Sequence, residues 1–489
     1  MDIFQHYIDG CFEEASQTFD SIDPATAQPW ARMPRAGAQD VDRAVRAADR
    51  ALRDPAWAGL NATQRGRLLF RLADLIERDV ALLAQLETRD TGKIIRETSF
   101  QLRYVAEYYR YYGGLADKIE GRCVPVDKPD MEAFIHNEPI GVVAAIVPWN
   151  SQLFLSAVKL APALAAGCTI VLKASEEAPA PLLAFARLVH EAGFPPGVLS
   201  ILTGFGDDCG RCLTSHPLVS RIAFTGGPAT ARHVVRNSAE NLASLSLELG
   251  GKSPMLVFGD ADLDSTVNAI MAGIFAASGQ SCVAGSRLLV HKDIAGELLS
   301  RLAGRAGLIR IGAPDDLTTE MGPLATKRQL EHVDALVKRS VEQGAALVTG
   351  GKPATQAGAG YYYEPTILLC ENAQTACLEE EFFGPVLSVL LFEDEADAIQ
   401  KANDSKFGLA AGVFTQNLAR AHRVVKALRS GVVWVNTYRV ISPMMPFGGY
   451  GLSGLGREGG REAIGDYLRT KSVWIRTSDE PISDPFVMR

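Results

Sequence analysis

The chain has 489 residues, enough for two or three domains around a sizeable shared core, so a single small module is excluded. Acidic residues outnumber basic ones, 57 to 49, and both signs are interspersed along the chain, which argues against a nucleic-acid partner. Eight cysteines spread over this length do not form a secreted disulfide scaffold, which points to a reducing compartment. The N-terminus lacks the basic and apolar regions of a signal peptide, and no apolar run approaches the roughly 20 residues of a membrane span. A cytoplasmic protein without a membrane partner is expected.

From Ala38 to Glu87 apolar positions recur at helical spacing, with arginines and aspartates on the opposite face, which predicts amphipathic helices. QLRYVAEYYRYYGG predicts an aromatic-rich helix, and the alternation around a Lys-Pro-Asp turn at 119–137 predicts a hairpin that forms an exposed arm. From Gly141 the texture changes to apolar runs alternating with helices: GVVAAIVPW, CTIVLKAS, VLSILTG and RIAFTGG. The alternation restarts at SPMLVFG and continues through SRLLVH, ILLC, VLSVLLF, LAAGVFTQ and SGVVWVN. Buried parallel strands joined by crossover helices have this pattern, so the fold class is α/β with two doubly wound domains meeting near ELGGKSP. SVWIRTSDEPIS has strand character and is placed to pair with the hairpin arm.

Cys282, in IFAASGQSCVAGSRLLV, lies among small residues at the end of an apolar helix and just before a strand, where a thiol is open to approach. A lone cysteine is also commonly an inert small hydrophobe. Glu248 is an acid in an apolar strand followed by two glycines; burial raises a carboxyl pKa toward that of a general base near neutral pH, and a boundary salt bridge is the alternative. Asn150 follows the carboxyl end of a strand, where open α/β sheets gather their sites; its amide suits an oxyanion or caps a helix. Lys173 and Glu176, ending another strand, suit the hydroxyls of a ribose, and an acid there repels a 2′-phosphate, favouring NAD over NADP.

Three glycine motifs differ in context. GLGREG at Gly454 to Gly459 matches a dinucleotide fingerprint letter for letter but follows a loop, and reads as a decoy. GFGDDCG follows a strand but has Cys209 where the third glycine belongs. FTGGPATAR leaves a strand and opens a helix, whose amino end suits a phosphate. Cys209 and Cys212 form a CxxC without a second ligand pair, leaving a thioredoxin-like oxidoreductase as a rival reading. No histidine motif or nucleophile elbow supports metal or serine hydrolase chemistry.

In order, PWN at Pro148, KASE at Lys173, FTGG at Phe224, ELGGKSP at Glu248, GQSC at Gly279, EEFFGPV at Glu380 and PFGGYGLSGLGRE at Pro446 resemble the aldehyde dehydrogenase superfamily over nearly the whole chain. The resemblance implies two Rossmann-like domains and a small β oligomerisation arm. Residues 1–118 and 138–250 would bind NAD, 251–468 would form the catalytic domain, and 119–137 with 469–489 the arm, giving a homodimer or homotetramer. It implies Cys282 as nucleophile, Glu248 as general base, Asn150 with the Cys282 backbone N–H as oxyanion donors, and Lys159 near the active site. Cofactor contacts are implied at Ile146, Pro148, Trp149, Lys173, Glu176, Phe224, Thr225, Gly226, Gly227, Leu249, Glu381 and Phe383. Leu155, Val158, Thr437, Ile441 and Phe447 are implied as substrate-tunnel residues, with Arg439 at the mouth, where it meets an anionic substrate or a salt-bridge partner. The chain departs from the family's G-S-T-x-x-G, having Gly227 without the phosphate-binding hydroxyl and Ala231 for the last glycine. The expected reaction is NAD-dependent oxidation of an aldehyde through a thioester that Glu248-activated water hydrolyses; the rival is a fold retained for binding without turnover.

Overall fold

A computed structural model describes residues 1–371 and 374–487. The apolar runs after Gly141 become five parallel strands, because each is buried on both faces and must be covered by helices on both sides. Their spatial order is Ser244–Leu249, Val219–Gly226, Val142–Ile146, Thr169–Ala174, Leu199–Thr203. The chain starts in the centre, winds to one side, then crosses to the other. The crevice of such a sheet therefore opens between the carboxyl ends of Val142–Ile146 and Val219–Gly226, the point where the winding reverses.

Two short antiparallel strands, His6–Ile8 and Cys11–Glu13, extend one edge. At the opposite edge Gly454–Leu455 pairs antiparallel with Ser244–Leu249. That pairing brings GLGREG back to the first sheet as an edge bridge; it is not a strand-to-helix turn, in keeping with its reading as a decoy.

The second sheet has seven strands, of which six are parallel, with Pro254–Val257 between Arg287–His291 and Ala410–Phe414. Only four residues separate the last of Ser244–Leu249 from Pro254, so the carboxyl edge of the first sheet is tied closely to the amino edge of the second. Side chains at those two edges are therefore brought face to face.

The hairpin Arg122–Val124 and Met131–Pro139 forms as expected, and Leu468–Arg476 adds to it in an unbroken nine-residue antiparallel register. The helical stretch resolves into Ala38–Ala51, Pro55–Ala58, Ala62–Arg78 and Val80–Thr91, and the aromatic helix runs Ile95–Leu115, starting before QLRYV. A small sheet of Asp2–Ile3, Thr18–Asp23 and Gln28–Pro34 precedes them, which the sequence pattern did not suggest. No helix among the described residues is long and apolar enough to cross a membrane.

Candidate active site

Cys282 follows a turn whose backbone proteins rarely adopt. The helix Leu263–Phe275 ends in Ala276–Gly279, where Ala277 and Ser278 both take φ +53° and Gly279 takes φ +72°. Left-handed geometry costs about 1–2 kcal/mol for a residue with a Cβ, so two in succession must be held from outside. Glu97, on the helix Ile95–Leu115, accepts from the Ala277 N–H through both oxygens at 3.0 and 3.1 Å, and the Ser278 hydroxyl donates to the Gly322 carbonyl at 2.8 Å. A side chain at Gly279 would strike the Gly384 carbonyl. The turn thus delivers Cys282, half-buried, onto an apolar wall that also holds Phe275, Tyr438, Ile441 and Phe447.

Burial pushes the Cys282 thiol up to about 12, helped by the nearby carboxylates of Glu248 and Glu381 and opposed by Arg439. At rest the group is a neutral thiol, and its activation needs a proton acceptor. Glu248 ends the strand Ser244–Leu249 and is only 4 % exposed. Both its carboxyl oxygens are buried without a hydrogen-bond partner among the described residues, and a Cβ on Gly448 would stand 2.8 Å from one of them. A buried acid with no partner costs stability and is a mark of function. Burial raises its pKa well above the ordinary value; Glu458 adds to the rise, while Lys159 and Arg457 oppose it.

Asn150 donates from its side-chain amide to the Gln280 carbonyl at 3.0 Å, so the amide points into the turn that carries Cys282. Gln280 is fixed in turn by the Ala325 N–H on its side-chain oxygen at 2.9 Å. Lys93 supports this arrangement and was not legible beforehand. Its ammonium, 5 % exposed, donates to the Asn150 carbonyl at 3.2 Å, to Ser151 Oγ at 3.0 Å, to Gln101 at 2.7 Å and to Glu87 at 2.9 Å.

Lys159 is fully buried and its ammonium is taken by Glu458 in an ion pair, so it acts on the site as half of a pair. Glu458 lies inside GLGREG, the motif set aside as a decoy. Its signal was present as an acid in a glycine-rich loop, but nothing local connected it to a lysine 299 positions earlier.

The residues expected to seat a cofactor fall in three groups. Pro148 and Trp149 leave the strand Val142–Ile146, and the Trp149 ring meets Phe383 edge-on at 5.3 Å. Phe383 is left-handed at φ +51°. Beside it Glu381 accepts from the Gly251 N–H at 2.9 Å, and a side chain at Gly250 would strike its carboxylate. Burial raises Glu381 to about 7. Lys173 and Glu176 pair at 3.1 Å at the end of Thr169–Ala174. Thr225, Gly226 and Gly227 lead into the helix Pro228–Asn237; the Thr225 hydroxyl is buried without a partner among the described residues. Ile146, Phe224 and Leu249 are core residues of the first sheet, and the Phe224 ring folds over Gly226.

On the substrate side, Leu155 is half-buried on the helix Gln152–Ala166 beside Phe154, and Val158 is 6 % exposed. Tyr108 packs edge-on to Phe154 at 5.2 Å, and Tyr104 donates to the Ile441 carbonyl at 2.8 Å. Arg439, at φ +63°, finds no carboxylate among the described residues and donates to the carbonyls of Ala272 and Ala276 at 3.1 and 3.3 Å. The inter-loop salt bridge weighed for it is therefore not formed. Thr437 is exposed.

Cys209 belongs to a different environment. It is fully buried, and burial pushes its thiol up to about 12, the reverse of the stabilised thiolate that a dithiol oxidoreductase uses. Among the described residues no cluster of histidine, cysteine or acidic side chains is arranged to hold a metal.

The aldehyde dehydrogenase family's sequence profile matches residues 12–473. The chain belongs to the aldehyde dehydrogenase family. It is 64 % identical over 490 aligned positions, covering all of both chains, to (Z)-2-((N-methylformamido)methylene)-5-hydroxybutyrolactone dehydrogenase of Acinetobacter baylyi. The fold is similar to that of an aldehyde dehydrogenase from Bacillus cereus solved as an NAD+ complex, with TM-score 0.96, 40 % identity, and 98 % and 97 % of the two chains covered. It is similar also to betaine aldehyde dehydrogenase from Staphylococcus aureus in complex with NAD+, with TM-score 0.97, 36 % identity, and coverage of 99 % and 97 %. Two Rossmann-like sheets are thus the family's architecture in this chain as well.

Proposed function

We propose that this family member oxidises an aldehyde to the carboxylic acid with NAD as hydride acceptor, using Cys282 as nucleophile and Glu248 as general base. The observation that carries the reading is a half-buried thiol beside a buried carboxyl group, without a hydrogen-bond partner among the described residues, at the facing edges of two sheets. Several features suit NAD. The Thr225 hydroxyl and the amino end of Pro228–Asn237 present unspent donors to a pyrophosphate, although Gly227 brings no hydroxyl. Lys173 and Glu176 suit the adenosine ribose, and Glu381 the other ribose.

Cys282 attacks the aldehyde carbon while its proton passes to Glu248, and the new oxyanion is met by the Asn150 amide and the Cys282 N–H. Bound NAD supplies the acceptor for the hydride that leaves this carbon. Glu248 loses the thiol's proton to solvent and, as its carboxylate, deprotonates a water whose oxygen bonds to the thioester carbon; the C–S bond then breaks, the Cys282 sulfur takes that proton from Glu248, and the acid leaves. A base in that position favours hydrolysis over acyl transfer to a thiol such as coenzyme A.

For the substrate, whole-chain identity to the Acinetobacter enzyme is the guide. A 5-hydroxybutyrolactone carries its hydroxyl on the carbon bonded to the ring oxygen. Opening breaks that ring C–O bond, the hydroxyl proton leaves to water, and a free aldehyde and a carboxylate result. A 4-oxo acid of this kind is the proposed substrate class. The three-stranded arm, with exposed Trp474 and Ile475 on an edge strand, is proposed to join copies of a cytoplasmic homodimer or homotetramer.

The test is NADH absorbance on mixing enzyme, NAD and a panel of aldehydes. Cys282→Ala is expected to be silent, and Glu248→Gln to release about one NADH per site and then stop, with the acyl group found on Cys282 by mass spectrometry. Steady turnover by Cys282→Ala would overturn the assignment.

A further inference from the structure

Arg439 has a position the mechanism does not use. It follows buried Tyr438 and precedes Ile441 and Phe447, which pack with Cys282 on one apolar wall. Nη1 is spent on the Ala272 and Ala276 carbonyls, at the end of the helix that leads into the Cys282 turn. Those bonds hold the left-handed residue and leave Nη2 and Nε, with three N–H donors, without a partner among the described residues.

Lys159 and Arg457 act on Glu248 instead: Lys159 is taken by Glu458, and Arg457 lies over the Tyr450 ring while Nη1 donates to the carbonyls of Gly449 and Gly456. The acids Glu248 and Glu381 both act against charge on the thiol, and Arg439 is the cation that opposes them. Ile441 and Phe447 share the apolar cluster of Cys282, and Tyr104, which donates to the Ile441 carbonyl, links it through Tyr108 to Phe154. A negatively charged group entering along that wall finds its counter-charge at Arg439.

We propose that Arg439 is a specificity-determining residue that receives the carboxylate of an aldehyde acid through Nη2 and Nε while the aldehyde carbon lies at Cys282. This rests on the reading of Cys282 as nucleophile. For a 4-oxo acid the contact has a second effect. The carboxylate oxygen that closes the hydroxylactone by attacking the aldehyde is held by the guanidinium, so the open form is presented to the thiol. Arginine suits this role because its planar fork matches both carboxylate oxygens at once.

The test compares kcat/KM for 4-oxobutanoate with that for butanal in the wild type, Arg439→Lys and Arg439→Gln. The acid-to-neutral ratio is expected to fall about tenfold or more in Arg439→Gln, chiefly through KM, with Arg439→Lys in between. An unchanged ratio overturns the proposal, including the case where both substrates slow equally because only the helix end was disturbed. A second readout needs no turnover: succinate is expected to slow alkylation of Cys282 by iodoacetamide in the wild type and to lose that effect in Arg439→Gln. Protection without NADH formation would retain the carboxylate site and reject the oxidation, whereas NADH formation without protection or acid preference would do the reverse.

Discussion

Lys159 and Glu458 meet in a buried ion pair whose two charges both act on the carboxyl of Glu248, the proposed general base, which has no hydrogen-bond partner among the described residues. Glu458 raises the Glu248 pKa and Lys159 lowers it, with burial raising it most. The carboxylate is the working form, so thioester hydrolysis is lost as pH falls through this raised value. Glu458→Gln leaves Lys159 unopposed, lowers the Glu248 pKa and moves the acid limb of the kcat profile to lower pH. Removing one partner of a buried pair also costs about 3–5 kcal/mol of stability. A limb that stays in place or moves upward would show that Glu458 does not act on Glu248.

The folding linkage of Glu248 has the opposite sense. Because its folded pKa is raised above the unfolded value, its contribution is fully present below the unfolded pKa and is lost as pH rises through the folded one. Glu248→Gln removes that loss. The melting temperature of the variant is expected to gain on the wild type from pH 5 to pH 8; parallel curves would count against an ionising buried Glu248.

Asn150 is the second point where geometry makes a kinetic claim. Its amide lies 3.0 Å from the Gln280 carbonyl and faces the Cys282 turn. Asn150→Ala is expected to lower kcat by about 10²–10³-fold, the magnitude seen when one oxyanion donor is lost, with a smaller change in KM. Pre-steady-state NADH formation checks it, because the loss belongs in the first turnover and not in product release.

Gly227 caps the helix Pro228–Asn237 at φ −80° and ψ 151°, a backbone that serine adopts readily, and a Cβ there meets nothing within 4 Å. Gly227→Ser is therefore expected to fold normally and gain a few tenths of a kcal/mol from the cap. If the pyrophosphate lies at this helix end, its Kd for NAD falls by about tenfold, the worth of one hydrogen bond to a charged group. Calorimetric titration with NAD decides; weaker binding would place the phosphates elsewhere.

Trp474, 57 % exposed on the edge strand Leu468–Arg476, is the candidate anchor between copies. Trp474→Arg is expected to reduce the mass in light scattering while leaving the melting transition of each subunit cooperative. An unchanged mass would remove the arm from the assembly interface.

The fold was legible wherever local pattern suffices. Unbroken apolar runs such as VVAAI at Val142–Ile146 can be satisfied only as doubly covered parallel strands, and the alternating segment at 119–137 only as an exposed hairpin. The first strands, Asp2–Ile3 and His6–Ile8, escaped because pieces of two or three residues carry too few alternations to register. Chemistry was legible where an amino-acid type is costly in its local setting, as with Glu248 inside an apolar strand.

By itself, then, the sequence determined the two α/β units, the arm, and the identities of a thiol, an acid and an amide suited to acyl chemistry. Tertiary structure decided which groups act on them: Glu458 on Lys159, Lys93 on the Asn150 turn, Glu97 on the strained turn before Cys282, and Arg439 on a helix end, not on an acid. The reason is physical. Periodicity and backbone preference act over a few residues and are written locally, whereas a charge pair 299 residues apart exists only after the loop that carries Glu458 has returned to the edge of the first sheet, on which the Lys159 helix packs.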